Sequence, residues 1–175
     1  MGKLIFITGG SRSGKSSLAV KLAQSMRKKT LFIATCIPED KEMKRRIALH
    51  RKKRPSSWRT IERRGVLTPI LRKEVKADVI ILIDCLTLFV SSLLMEEMEE
   101  RKIKDEVVKI IAMIENGKAT VIIVSNEVGS GLVPENKLGR DFRDIAGSCN
   151  QIVARGADEV IYMVSGIPVN IKGTR

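Results

Sequence analysis

Thr8-Gly9-Gly10-Ser11-Arg12-Ser13-Gly14-Lys15-Ser16 decides the fold. Residues 9–16 satisfy G-x-x-x-x-G-K-S, an apolar run from Lys3 to Thr8 leads into them, and Leu18, Ala19, Leu22 and Met26 follow at helical spacing within Ser16 to Lys28. Strand, glycine-rich turn and helix in that order make a phosphate-binding P-loop. The glycines let backbone N–H groups converge on phosphate oxygens at the positive end of the helix. Lys15 reaches the terminal phosphates, and the Ser16 hydroxyl can ligate Mg2+.

Outward from this motif, runs rich in Ile, Val and Phe predict strands at Thr30 to Ala34, Val79 to Asp84, Thr120 to Ser125 and Glu159 to Val164. Helical spacing predicts helices over Glu39 to Lys53 and Lys104 to Glu115, and a further helix carrying Arg140, Arg143 and Asp144. Strands alternating with helices imply an α/β fold, a mostly parallel sheet covered on both faces. The tail Gly166 to Lys172 follows the last strand too closely for a crossover and is expected to return as an antiparallel edge hairpin. The 175 residues, 43% of them hydrophobic and without repeats or linkers, read as one domain spanning 1–175.

No apolar run reaches the roughly 18 residues of a membrane span, so a cytoplasmic protein without a membrane span is expected. Cys36, Cys85 and Cys149 are odd in number and lack a C-x-x-C pair, which predicts reduced thiols rather than a disulfide framework or zinc site. The formal charge is +12, and between Lys44 and Lys76 thirteen basic residues face only Glu62 and Glu74. One anion-binding surface follows. Trp58 is the only aromatic residue in that segment, so a compact polyphosphate is the expected anion and no nucleic acid is.

In parallel sheets ligands gather at the C-terminal strand ends. Asp84 ends its strand there, the place of the magnesium-side carboxylate in P-loop enzymes. His50 is the only histidine. On a helical stripe with Met43, Ile47 and Arg54 it faces inward beside Lys44-Arg45-Arg46 and Arg51-Lys52-Lys53-Arg54, a charge density that keeps imidazole neutral. Spacing supports a packed core histidine and a nucleophile toward phosphorus equally. Asn126-Glu127-Val128-Gly129-Ser130-Gly131 reads equally as a substrate or magnesium contact and as a turn whose glycines take positive φ. An i, i+4 pair of Arg140 with Asp144 accounts for those side chains, and Leu94, Met95 and Met98 are expected in the core or at a subunit contact.

Taken together, the P-loop, Ile33-Ala34-Thr35, His50 with Arg54-Pro55 and Trp58, Asp84-Cys85-Leu86-Thr87-Leu88, Ser125-Asn126-Glu127-Val128-Gly129 and Arg140-Asp141-Phe142-Arg143-Asp144 resemble the bifunctional adenosylcobinamide kinases and adenosylcobinamide-phosphate guanylyltransferases of cobalamin biosynthesis. The resemblance runs nearly the whole chain. It implies a RecA-like P-loop NTPase fold in three layers, a homotrimer, and two reactions: phosphorylation of adenosylcobinamide by ATP or GTP, then GMP transfer from GTP to adenosylcobinamide phosphate through a guanylyl-histidine. It carries the nucleophile to His50. It carries nucleotide contacts to Gly9, Gly10, Ser11, Arg12, Ser13, Gly14, Lys15 and Ser16, to Thr35, Cys36 and Ile37, to Arg51, Lys52, Lys53 and Arg54, and to Glu62 and Asp84. Mg2+ would sit at Ser16 and Asp84, and Glu62 would accept hydrogen bonds from guanine or ribose. Phe89 and Ser92 stand where family members often carry tryptophan and asparagine, which points to a corrinoid or subunit contact there.

Overall fold

The computed structural model describes residues 1–35, 45, 51 and 54–173. His50, Cys36, Ile37, Lys52 and Lys53, with most of the helix expected over Glu39 to Lys53, lie outside the described residues. In chain order the elements are β1 (Lys3–Gly9), α1 (Lys15–Ser25), β2 (Thr30–Ala34), β3 (Arg59–Glu62), α2 (Thr68–Glu74), β4 (Ile80–Asp84), α3 (Leu86–Met95), α4 (Glu100–Glu115), β5 (Thr120–Val124), α5 (Lys137–Gly156), β6 (Glu159–Val164) and β7 (Ile167–Lys172). One seven-stranded sheet runs in the order β3-β2-β4-β5-β1-β6-β7. All neighbours are parallel except β6 and β7.

The central strands are continuously apolar between their ends because helices cover both faces. Side chains alternate along a strand, so each strand feeds two cores. Leu4 and Phe6 of β1, Leu31 and Ile33 of β2, and Ile81 and Ile83 of β4 pack with α2, α3, α4 and α5. Ile5, Ile7, Phe32, Ile80 and Leu82 pack with Ala19 and Ala23 of α1. The expected hairpin is present: β6 turns into β7 through Ser165 (φ 49°) and Gly166 (φ 88°), the paired positive φ of a two-residue hairpin turn.

Three elements were not anticipated. β3 is a four-residue edge strand with mostly exposed side chains, too polar to show an apolar pattern. α2 is a seven-residue helix started by Pro69, and its first amide, Thr68 N–H, donates to the buried Glu106 carboxylate at 3.1 Å. α3 is apolar almost all round, and Phe89 on it is 1% exposed, its ring packed in the core of the chain. Ser92 likewise bonds inward, donating to the Phe89 carbonyl at 2.8 Å. Met95 is solvent-exposed rather than core, while Leu94 and Met98 pack on it.

Candidate active site

The turn after β1 is built for close backbone approach. Gly9 has φ 144°, and a Cβ there would stand 2.5 Å from the Met163 carbonyl oxygen. Gly14, at φ 96°, is the N-cap of α1 and supplies no side-chain cap, so the first amides of that helix are left for an anion. The loop is pinned from two sides: Glu127 N–H donates to the Gly9 carbonyl at 2.9 Å, and Gly166 N–H to the Ser13 carbonyl at 3.0 Å. Lys15 is buried and curls into the loop, its Nζ donating to the Gly10 carbonyl at 2.5 Å and lying 3.3 Å from Ser13 Oγ. Burial lowers its pKa, opposed by the nearby Cys85 and Asp84.

Ser16 Oγ donates to Asp84 Oδ1 at 3.3 Å, joining residues 68 apart in sequence. Two hard oxygens beside a phosphate-binding turn fit Mg2+, which commonly takes only one or two protein ligands and fills the rest with water and phosphate oxygens. Among the described residues no cluster of three or more His, Cys, Asp or Glu offers a dedicated metal cage.

Behind Asp84 the strand ends are laced together. Thr35 is 2% exposed, and its hydroxyl both donates to the Cys85 carbonyl (2.7 Å) and accepts from Cys85 N–H (2.8 Å), while Thr35 N–H donates to the Asp84 carbonyl (3.2 Å). Its side chain therefore grips the chain directly after Asp84. Thr87 Oγ1 accepts from Asn126 N–H, and Asn150 takes a bond from Ser125 Oγ (2.7 Å) and gives one to the Asn126 carbonyl (3.2 Å). The segment after Asn126 closes as a turn, but neither Gly129 nor Gly131 has positive φ; the turn is held by Gly131 N–H to the Val128 carbonyl and Gly129 N–H to Glu127 Oε1. Arg140 does not pair with Asp144. Its guanidinium donates to the carbonyls of Pro134 and Glu135, Lys137 pairs with Asp141, and Arg143 pairs with Asp144.

Two cavities open on the α1 side of the sheet, and Arg54 borders both. The inner one, about 270 Å3, is lined by Ser16, Ser17, Val20, Phe32, Arg54 and Asp84 among others. The outer one, about 500 Å3, is formed by Arg51, Arg54, Pro55, Trp58, Thr60 and Glu62 with Ser56. Arg54 lies flat on Phe32, its central carbon 3.5 Å from the ring centroid, and its buried Nη1 has no hydrogen-bond partner. Burial lowers its pKa, with Asp84 acting in the opposite direction. Such a donor, desolvated on a residue that borders both cavities, suits a phosphate oxygen. Arg51 is ion-paired with Glu62. Sequence reasoning gave Trp58 and Thr60 no role in binding, although their alternation with Glu62 at positions 58, 60 and 62 carries the period-2 signal of a common face.

Sheet order, P-loop and the Ser16–Asp84 pair define a P-loop NTPase of the α/β class. A family model described as cobinamide kinase / cobinamide phosphate guanyltransferase matches residues 5–171, and the chain belongs to that family. It is an enzyme of cobalamin biosynthesis, a transferase with kinase and nucleotidyltransferase activities. The bifunctional adenosylcobalamin biosynthesis protein CobU of Salmonella typhimurium LT2 is 43% identical over 97% of this chain and 99% of its own length. The protein of the same name from Escherichia coli K12 is 40% identical with the same coverage, and CobP of Pseudomonas aeruginosa PAO1 is 40% identical over 95% of this chain and 96% of its own. In fold, the chain also resembles a solved chain from Pyrococcus horikoshii OT3 at TM-score 0.56 and 10% identity, covering 99% of this chain and 88% of the other. No described helix is long and apolar enough to cross a membrane.

Proposed function

We propose that both transfers use one composite nucleotide site running from the P-loop, past Arg54, into the outer cavity. The supporting observation is that Arg54 borders both cavities and carries a buried N–H without a hydrogen-bond partner. In the first transfer the acceptor hydroxyl of adenosylcobinamide attacks the γ-phosphorus of ATP or GTP. The new O–P bond forms as the β,γ-bridging bond breaks, a nucleoside diphosphate leaves, and the hydroxyl proton is released. Lys15 and the α1 amides hold the phosphates, and Ser16 and Asp84 would hold Mg2+, which supplies charge neutralisation when bound.

In the second transfer a ring nitrogen of His50 attacks the α-phosphorus of GTP and pyrophosphate departs toward the P-loop. The phosphate oxygen of adenosylcobinamide phosphate then displaces His50, giving adenosylcobinamide-GDP. Arg51, Lys52, Lys53 and Arg54 balance the charge on the pentacoordinate phosphorus, Thr35, Cys36 and Ile37 border the nucleotide, and Glu62 takes the base. The enzyme acts as a homotrimer in the cytoplasm. Incubating wild type and His50→Ala with Mg2+ and GTP labelled at the α-phosphate tests this reading by intact-protein mass. A single acid-labile GMP adduct on wild type, absent from the variant, is expected; a wild type that never acquires the adduct would sink it.

A further inference from the structure

Trp58 is the only tryptophan of the chain, and neither transfer described above uses it. Its placement is specific. The side chain packs partly against the α1-side core, yet lines the outer cavity together with Thr60 and Glu62. The register Ala34↔Asp84 on one side of β2 and Ala34↔Glu62 on the other sets Glu62 two strand spacings from Asp84, about 10 Å. The outer cavity thus begins where phosphates leave Arg54, at the distance a nucleoside requires. Its volume of about 500 Å3 falls in the range of small-molecule sites.

The wall chemistry selects the occupant. An indole offers a flat apolar face to a base, and a carboxylate accepts two parallel N–H bonds from N1 and N2 of guanine. Adenine presents an acceptor at N1 and would meet Glu62 lone pair to lone pair. Glu62 is held by Arg51 in the nucleotide-free protein. A guanine nucleotide satisfies both partners of that pair, its base edge taking the carboxylate and its phosphate the guanidinium. We propose that Trp58 is the stacking platform for the guanine base and, with Glu62, makes the outer cavity guanine-specific. This inference rests on the reading that GTP extends past Arg54.

The test is titration of the wild type with GMP, GTP, AMP and inorganic triphosphate, followed by Trp58 emission, with binding measured separately by calorimetry. Saturable change with GMP, little with AMP and none with triphosphate is expected. Trp58→Leu should weaken GMP roughly 5- to 150-fold, the span of base–aromatic stacking, and raise KM for GTP in guanylyl transfer while kcat is kept. Trp58→Phe should restore most of the affinity. GTP binding by calorimetry with unchanged wild-type emission overturns the role of Trp58 and leaves the P-loop assignment standing, as does unaltered GMP affinity in Trp58→Leu. Absence of any GTP binding overturns both.

Discussion

Thr35 holds Asp84 in place through a peptide it does not belong to. Both hydrogen-bonding capacities of its hydroxyl go to Cys85, and the site is closed to water. Thr35→Val keeps the shape and removes two buried hydrogen bonds to Cys85, whose carbonyl keeps its bond from Phe89 N–H, so stability should fall by about 1–3 kcal/mol. The Mg2+ concentration for half-maximal phosphoryl transfer should rise as well, and Thr35→Ser should recover both quantities; urea unfolding and a magnesium titration measure them. Lys15, Ser16 and Asp84 were legible in the sequence because a local motif and a strand end announce them. The grip of Thr35 was not, since its partner lies 50 residues away. The orphaned Arg54 N–H was equally invisible, because burial of one guanidinium edge is a property of packing and not of spacing.

Among the elements, those with a continuous apolar run or a clear helical stripe were legible to within a few residues: α1 begins at Lys15, one residue before the expected start, and α4 at Glu100, four before. β3 escaped because an edge strand of Arg59-Thr60-Ile61-Glu62 needs no apolar alternation when one side faces solvent. α5 shows how an exposed start is fixed. Asn136 caps it by accepting from Gly139 N–H at 2.7 Å, and Arg140 ties the two preceding carbonyls to the first turn. Asn136→Ala is expected to cost about 1 kcal/mol, seen as a lower urea midpoint with unchanged slope. Asn136→Asp should be close to neutral, because an aspartate oxygen accepts the same bond.

Across the whole molecule, two buried layers on one sheet make the interior sensitive to ionisation. Cys149 of α5 is fully buried in the core, and burial pushes its thiol from an ordinary value of 9.0 up to about 12. Above pH 9 the unfolded chain releases this proton while the native chain keeps it, so the contribution is intact below pH 9 and is lost as pH rises toward 12. Denaturant unfolding at pH 8 and pH 11 should show a smaller alkaline loss in Cys149→Ala than in wild type. The same burial predicts that iodoacetamide leaves Cys149 unmodified in the folded protein at pH 8.

The bond from Gly166 N–H to Ser13 carries a further consequence for the tail of the chain. The C-terminal ribbon works as a retaining clip on the phosphate grip: β7 keeps the Ser165-Gly166 turn in shape, and the turn keeps Ser13 in place. A protein shortened to end at Val164 would lose nothing proposed to contact a nucleotide, and yet should hold triphosphate far more weakly.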